Sequence, residues 1–230
     1  MILEMTRPTQ GGLRQERKLE AVSNNLANAQ TVGFKRDFVS FDKEFKAQLN
    51  RDYTLGEMEY TDNPLDYALE TEGFFKIETP EGLRYTRNGS FSVSAEGILV
   101  DKNGFPVMGQ GGNIIIDTNE VNETVEIGLN GQITIDNVLV DTLDVVTFAD
   151  KTKLEKDGRN LLSYTGNAED ELAPELVRGR AGALEQSNVH VVDEMVRMID
   201  YQKMFEMYTK SMMTFDEVDS KAINEVGQTT

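Results

Sequence analysis

The chain has 230 residues, with 23 Lys and Arg against 40 Asp and Glu, a formal net charge of −17, no cysteine and a single histidine, His190. Such an acidic chain is repelled by phosphate backbones and anionic lipid, which argues against a nucleic-acid partner. The missing cysteines exclude disulfides, thiol catalysis and Cys-ligated metal centres, and one histidine leaves His-rich metal sites without ligands.

The length suits one or two domains. The first residues, Met1 to Pro8, contain no apolar segment and no cleavage site of the secretory type. No apolar run approaches the ~20 residues needed to span a bilayer, so no membrane insertion is expected. The chain is therefore cytoplasmic or exported without a cleavable signal peptide.

Residues 1–36 read as an N-terminal helical segment. It is best defined from Leu13 to Ala29, where Leu19, Val22, Leu26 and Ala29 fall at helical spacing. Pro8, Gly11 and Gly12 weaken helix before Leu13, and Gly33 is a plausible stop. Residues 37–64 read as an extended connector. Residues 65–180 read as a central antiparallel β domain of meander type. There, Glu81-Gly82, Asn88-Gly89, Glu96-Gly97 and Asn103-Gly104 recur every seven or eight residues, followed by Gly111-Gly112. Asn-Gly supplies the positive φ of tight hairpin turns. Short aromatic and aliphatic runs such as Phe74–Thr79, Leu83–Arg87 and Leu143–Phe148 lie between the turns.

Residues 181–230 form a C-terminal helical segment. From Ser187 to Val226 there is neither Pro nor Gly, and Gly227 is a natural stop. Its apolar residues follow a heptad. One position holds Val191, Met198, Phe205, Met212 and Val226, interrupted by Asp219; the other holds Tyr201, Tyr208, Phe215 and Ala222. A second stripe runs through Val192, Met195, Val196 and Ile199. A helix apolar on more than one face needs more than one partner, so the ends are expected to be loose in a monomer and ordered in an assembly. The fold class is α+β, with long terminal helices forming a coiled-coil-like assembly region around a central β domain.

Within 23–36, Asn24 and Asn28 share a helix face. Spacing alone supports helix capping or amide hydrogen bonding to a neighbouring subunit. Six of the ten methionines lie between Met195 and Met213, as core filling or as an adaptable interface. His190 reads as a helix-start surface residue. Asp141 and Asp144 read as a chance pair among many acids, and Gly109–Gly112 lacks the Lys-Ser/Thr of a phosphate loop.

The stretch Asn24-Asn25-Leu26-Ala27-Asn28-Ala29, continuing through Thr31 and Gly33-Phe34-Lys35-Arg36, resembles the N-terminal signature of the bacterial flagellar rod and hook family. Asn63-Pro64-Leu65-Asp66 with Glu72-Gly73-Phe74-Phe75 resembles the family's approach to its β domain, although Asp62 stands where the family usually has glycine. Tyr85-Thr86-Arg87-Asn88-Gly89-Ser90-Phe91 resembles its hairpin signature. Gly182–Val189, followed by Glu194-Met195-Val196, resembles its C-terminal signature. The short link from Phe34-Lys35-Arg36 to Asn63-Pro64 is closer to proximal than to distal rod members.

The resemblance implies a structural subunit of the basal-body rod, the axial shaft that crosses the periplasm. It implies no catalytic residue, no metal and no cofactor. Its implied partners are copies of itself, other proximal and distal rod proteins, and the flagellar export apparatus. The alternatives are a distal rod protein of the same family, or a non-flagellar β binding module on a coiled-coil stalk. Subunit-interface residues are expected at Leu19, Val22, Asn24, Asn25, Leu26 and Asn28 on the first helix, at Gly33 and Phe34 in the loop after it, and at Asn188. On the last helix they are expected at Val191, Val192, Met195, Met198, Ile199, Phe205, Tyr208, Met212 and Phe215.

Overall fold

The computed structural model describes residues 2–41, 47–116 and 125–226. They form two compact units. One comprises the described parts of Met1–Ala29, Arg36–Asp52 and Val189–Thr230; the other comprises Gln30–Lys35 and Tyr53–Asn188.

The helical unit is built on α1 (Ile2–Ala27) and α2 (Val191–Val226). Thr9 meets Met212, Gly11 meets Tyr208, Lys18 lies over Tyr201 and Asn25 reaches Glu194. Numbers rise along one helix as they fall along the other, so the pair is antiparallel. Helix α1 begins well before the expected Leu13 and contains Pro8. The glycines explain part of this: a Cβ on Gly11 would stand inside the Tyr208 ring, and Gly12 faces Phe205 and Tyr208. Packing of aromatic rings onto bare backbone overrides the poor helix propensity of Gly11 and Gly12.

The helix ends at Ala27, not Ala29. The Asn28 N–H reaches the Asn24 and Asn25 carbonyls, and the Ala29 N–H reaches Leu26. Gly33 is therefore not the helix stop. Helix α2 starts at Val191, after the expected Ser187, and His190 is exposed with its carbonyl accepting the Glu194 N–H at 3.0 Å. Gly227 lies outside the described residues, as do the side chains of Ala222 and Val226. Within the expected extended connector, Asp37–Phe41 and Ala47–Arg51 pair as an antiparallel hairpin in this unit.

The β unit is antiparallel throughout its described ladders. Its main sheet has six strands in the order Leu154–Lys156, Leu162–Tyr164, Gly82–Thr86, Phe74–Thr79, Val145–Phe148 and Glu171–Leu172. This is not the expected simple meander, because strands far apart in sequence lie side by side. Early strands also pair with late ones: Tyr67–Leu69 with Gly179–Ala181, and Met58–Tyr60 with Ala183–Glu185. The core holds Tyr67, Leu69, Phe75, Ile77, Leu99, Val107, Ile114 and Ile133, with a second cluster around Phe74, Tyr85 and Phe148.

Gly97 and Gly104 occupy the expected turns with φ of 75° and 84°. Asn88-Gly89 does not form a turn. Gly89 is required because a Cβ there would strike the Tyr67 carbonyl, while its own carbonyl accepts the Tyr67 N–H at 2.9 Å. Asp62 has a φ of 59°. A left-handed backbone is favourable for glycine and tolerated by aspartate.

Candidate assembly surface

The chemistry of α2 divides along its length and around its circumference. Of the heptad residues, Met198, Tyr201, Tyr208 and Met212 are half-buried, with Phe205 close to that class. The other stripe is in water: Val192 is 73% exposed, and Met195, Val196 and Ile199 are about half exposed. Val191 and Phe215 are exposed as well, with Met207, Met213 and Val218. Isolated exposed apolar residues are ordinary; Val192, Met195, Val196 and Ile199 instead form a contiguous stripe on one helix.

The signature residues before α2 are placed differently. Leu19, Leu26 and Asn28 are half-buried, Asn24 is exposed and Val22 is buried. Asn28 Nδ2 donates to the Asn24 carbonyl and Oδ1, both at 2.9 Å, which is the capping arrangement. Asn25 is fully buried and internal. Its Oδ1 accepts the Asp37 N–H at 2.9 Å, while Nδ2 donates to the Asp37 carbonyl at 2.8 Å and to Glu194 Oε2 at 3.1 Å. Arg36 bridges Glu194 at 3.3 Å and Asp52 at 3.4 Å, and Arg51 holds Asp37 at 3.1 Å. These bonds tie α1, α2 and the hairpin within one unit.

Gly33, Phe34 and Asn188 belong to the β unit. Gly33 has a φ of 68°, and a Cβ there would lie 2.6 Å from the Arg87 backbone. Phe34 is buried beneath the Lys156 ammonium, 4.3 Å from its ring centroid. Asn188 donates through Nδ2 to the Thr54 carbonyl and Oγ1, each at 3.1 Å. All three residues make contacts inside the single chain.

Sequence reasoning missed the centre of that region, the carboxylate of Glu185, which is 1% exposed. Its Oε1 accepts Lys35 Nζ at 2.5 Å and the Gly56 N–H at 2.9 Å, and its Oε2 accepts Arg87 Nε at 2.6 Å. The Glu185 carbonyl accepts the Gly33 N–H at 2.7 Å. Arg87 also donates to the carbonyls of Gly73, Leu69 and Thr71, and Lys35 to that of Thr54. Burial alone raises the Glu185 carboxyl, but Arg87 and Lys35 outweigh it and hold its pKa below the ordinary glutamate value. The available signal was a lone acid ending the apolar run Ala183-Leu184.

The paired acids of the β unit are occupied. Asp141 accepts the Thr142 N–H at 2.7 Å and the Gly111 N–H at 3.3 Å, and Asp144 lies 3.7 Å from Lys76. Burial raises the Asp144 pKa, partly offset by Lys76. Met108–Gly109 and Gly112–Asn113 form a small hairpin.

A helical unit with an exposed apolar stripe, joined to an antiparallel β unit held by internal ion pairs, is the architecture of a structural subunit. Family comparison makes this specific. The flagella basal body rod protein model matches residues 11–35, the flagellar hook protein FlgE/F/G D1 domain model residues 68–135, and the flagellar basal body rod FlgEFG C-terminal model residues 180–225. The flagellar basal-body rod protein FlgF of Caulobacter vibrioides is 32% identical over 232 residues, covering 92% of this chain and 93% of the relative. FlgF of Salmonella typhimurium is 30% identical, covering 92% and 94%. The rod protein FlgG of Bacillus subtilis is 30% identical over 247 residues, covering 90% and 92%. The chain belongs to the flagellar basal-body rod protein family.

Proposed function

We propose that the chain is a structural subunit of the flagellar basal-body rod, in its proximal part, assembling through α1 and α2 with copies of itself and with other rod proteins. The observation that carries this reading is the apolar stripe Val192, Met195, Val196 and Ile199, left in water by the single chain. Burying side chains of this size yields roughly 1.5–3 kcal/mol each, which the isolated molecule forgoes. The methionines on α2 suit a subunit that meets unlike neighbours, because Met repacks against different surfaces.

Family membership supports the site of action, the basal body. The axial shaft crosses the periplasm, and delivery there falls to the flagellar export apparatus. The proximal assignment rests on the short 37–62 link. Alignment to the B. subtilis FlgG stretches to 247 residues while covering slightly less of this chain than the 232-residue alignment to the C. vibrioides FlgF. The greater alignment length at similar coverage means that this relative carries additional inserted residues, which supports the reading.

Deletion of the gene tests the assignment. Cells lacking it are expected to stop rod growth early and fail to swim, with both defects reversed by the intact chain. Complete rods and normal swimming in the deletion strain would refute it.

A further inference from the structure

The helical unit carries a second apolar feature besides the stripe on α2. Between α1 and the hairpin of Asp37–Phe41 and Ala47–Arg51 lies a groove of about 430 Å³, open to water. Ala21, Val39, Ala47 and Leu49 give it an apolar lining, and Arg17 and Asn24 stand on its α1 wall. Leu49 is 62% exposed, so the described residues leave the hairpin wall largely uncovered. A cavity of ~150 Å³ already accepts a benzene ring, so this groove has room for more than one aliphatic side chain.

The groove and the stripe lie on faces that one chain cannot bring together. On α1, Gly11, Lys18 and Asn25 are spaced by seven and face α2, whereas Arg17, Ala21 and Asn24 lie about a quarter turn round the helix. On α2, Glu194, Tyr201 and Tyr208 face α1. At about 100° per residue, Val192, Met195, Val196 and Ile199 fall on the far side of α2. The stripe therefore points away from the helix that carries the groove.

We propose that the α2 stripe of one copy seats in the α1–hairpin groove of a second copy. Charge and symmetry both favour that occupant. Asp193 and Asp200, seven apart and exposed, flank the stripe on one side. Arg17 meets them from the groove: its side chain is 66% exposed and paired with Glu20 at i,i+3, and an exposed pair of this kind is weak, so Arg17 can take a carboxylate from the incoming helix. The contact joins two different patches, so a bound copy still offers a stripe at one side and a groove at the other. Head-to-tail contacts of this kind extend into a filament when their rotation does not close. This rests on the assembly role proposed above and names the receiving surface, half of which is the hairpin and not a terminal helix.

The chain has no cysteine of its own, so an introduced pair reports without background. Leu49→Cys and Ile199→Cys are made singly and together in the full-length chain, and basal bodies isolated from cells carrying each variant are oxidised and run without reductant. The double variant is expected to give dimers and higher multimers that reductant dissolves, and each single variant only monomer. A dimer from either single variant, a bridge closed within one chain, or no multimer from a double variant that swims would overturn the proposal. Leu49→Asp gives a second reading that needs no cross-link. It is expected to melt like the native chain, as exposed substitutions do, and to abolish swimming; normal swimming would overturn the proposal. Failure of the rod assignment is separate: it would appear as a native chain that does not restore swimming to the deletion strain.

Discussion

Replacing Glu185 with alanine is expected to destabilise the β unit by about 3–5 kcal/mol, the cost of leaving buried cations without their counter-charge. Lys35 and Arg87 are 5% and 4% exposed at their side chains, so neither can rotate into water without breaking the segments they join. Both keep backbone carbonyl partners after the substitution; what is lost is the charge between them and the acceptor for the Gly56 N–H. Lys35→Met is expected to cost less, because the Arg87–Glu185 pair at 2.6 Å survives. Thermal melting of the three chains orders them native, Lys35→Met, Glu185→Ala.

The same carboxylate predicts the acid response. Its folded pKa lies below the unfolded value of 4.5. Its contribution is therefore fully present above pH 4.5 and is lost as pH falls through the folded pKa. The native β unit should lose stability over that acid range, and Glu185→Gln should lack that part of the loss. Equal melting of native and Glu185→Ala chains at neutral pH would remove the cluster from the account.

A carboxylate introduced at Val192 or Ile199 is expected to abolish swimming while leaving the chain folded. Both side chains stand in water, Val192 at 73% and Ile199 at 50% exposure. Surface changes of that kind alter stability by about 0.5 kcal/mol or less. In an assembled shaft the same positions would be covered, and an unpaired carboxylate taken out of water costs several kcal/mol. The two measurements therefore diverge: native circular dichroism and melting of the β unit, with no motility. Normal swimming from both Val192→Asp and Ile199→Asp would show that this stripe is not a contact surface.

What the sequence revealed follows local physics. The helical span of α2, the turns at Gly97 and Gly104 and the exposed helix-start position of His190 depend on residues within a few positions of one another. What it hid depends on distance along the chain. Gly89 read as a turn residue because Asn-Gly favours one, yet it is set by the carbonyl of Tyr67. The early start of α1 depends on Tyr208 filling the space over Gly11. Glu185 joins Lys35, Gly56 and Arg87 across 150 positions at the widest separation. No periodicity encodes a buried charge whose partners come from three other segments. Asn25 shows the same limit: the reading placed it among the subunit-interface residues, and within the single chain its amide brackets the backbone of Asp37.

Backbone amide exchange along Met204–Lys221, measured in the dilute full-length chain and again in purified rods containing it, bears most directly on the role of α2. In dilute chain these amides should exchange far faster than those of Phe75 and Ile77 in the β unit, and incorporation should slow them to a comparable rate. Strong, equal protection of α2 in both states would contradict an assembly that completes the helix.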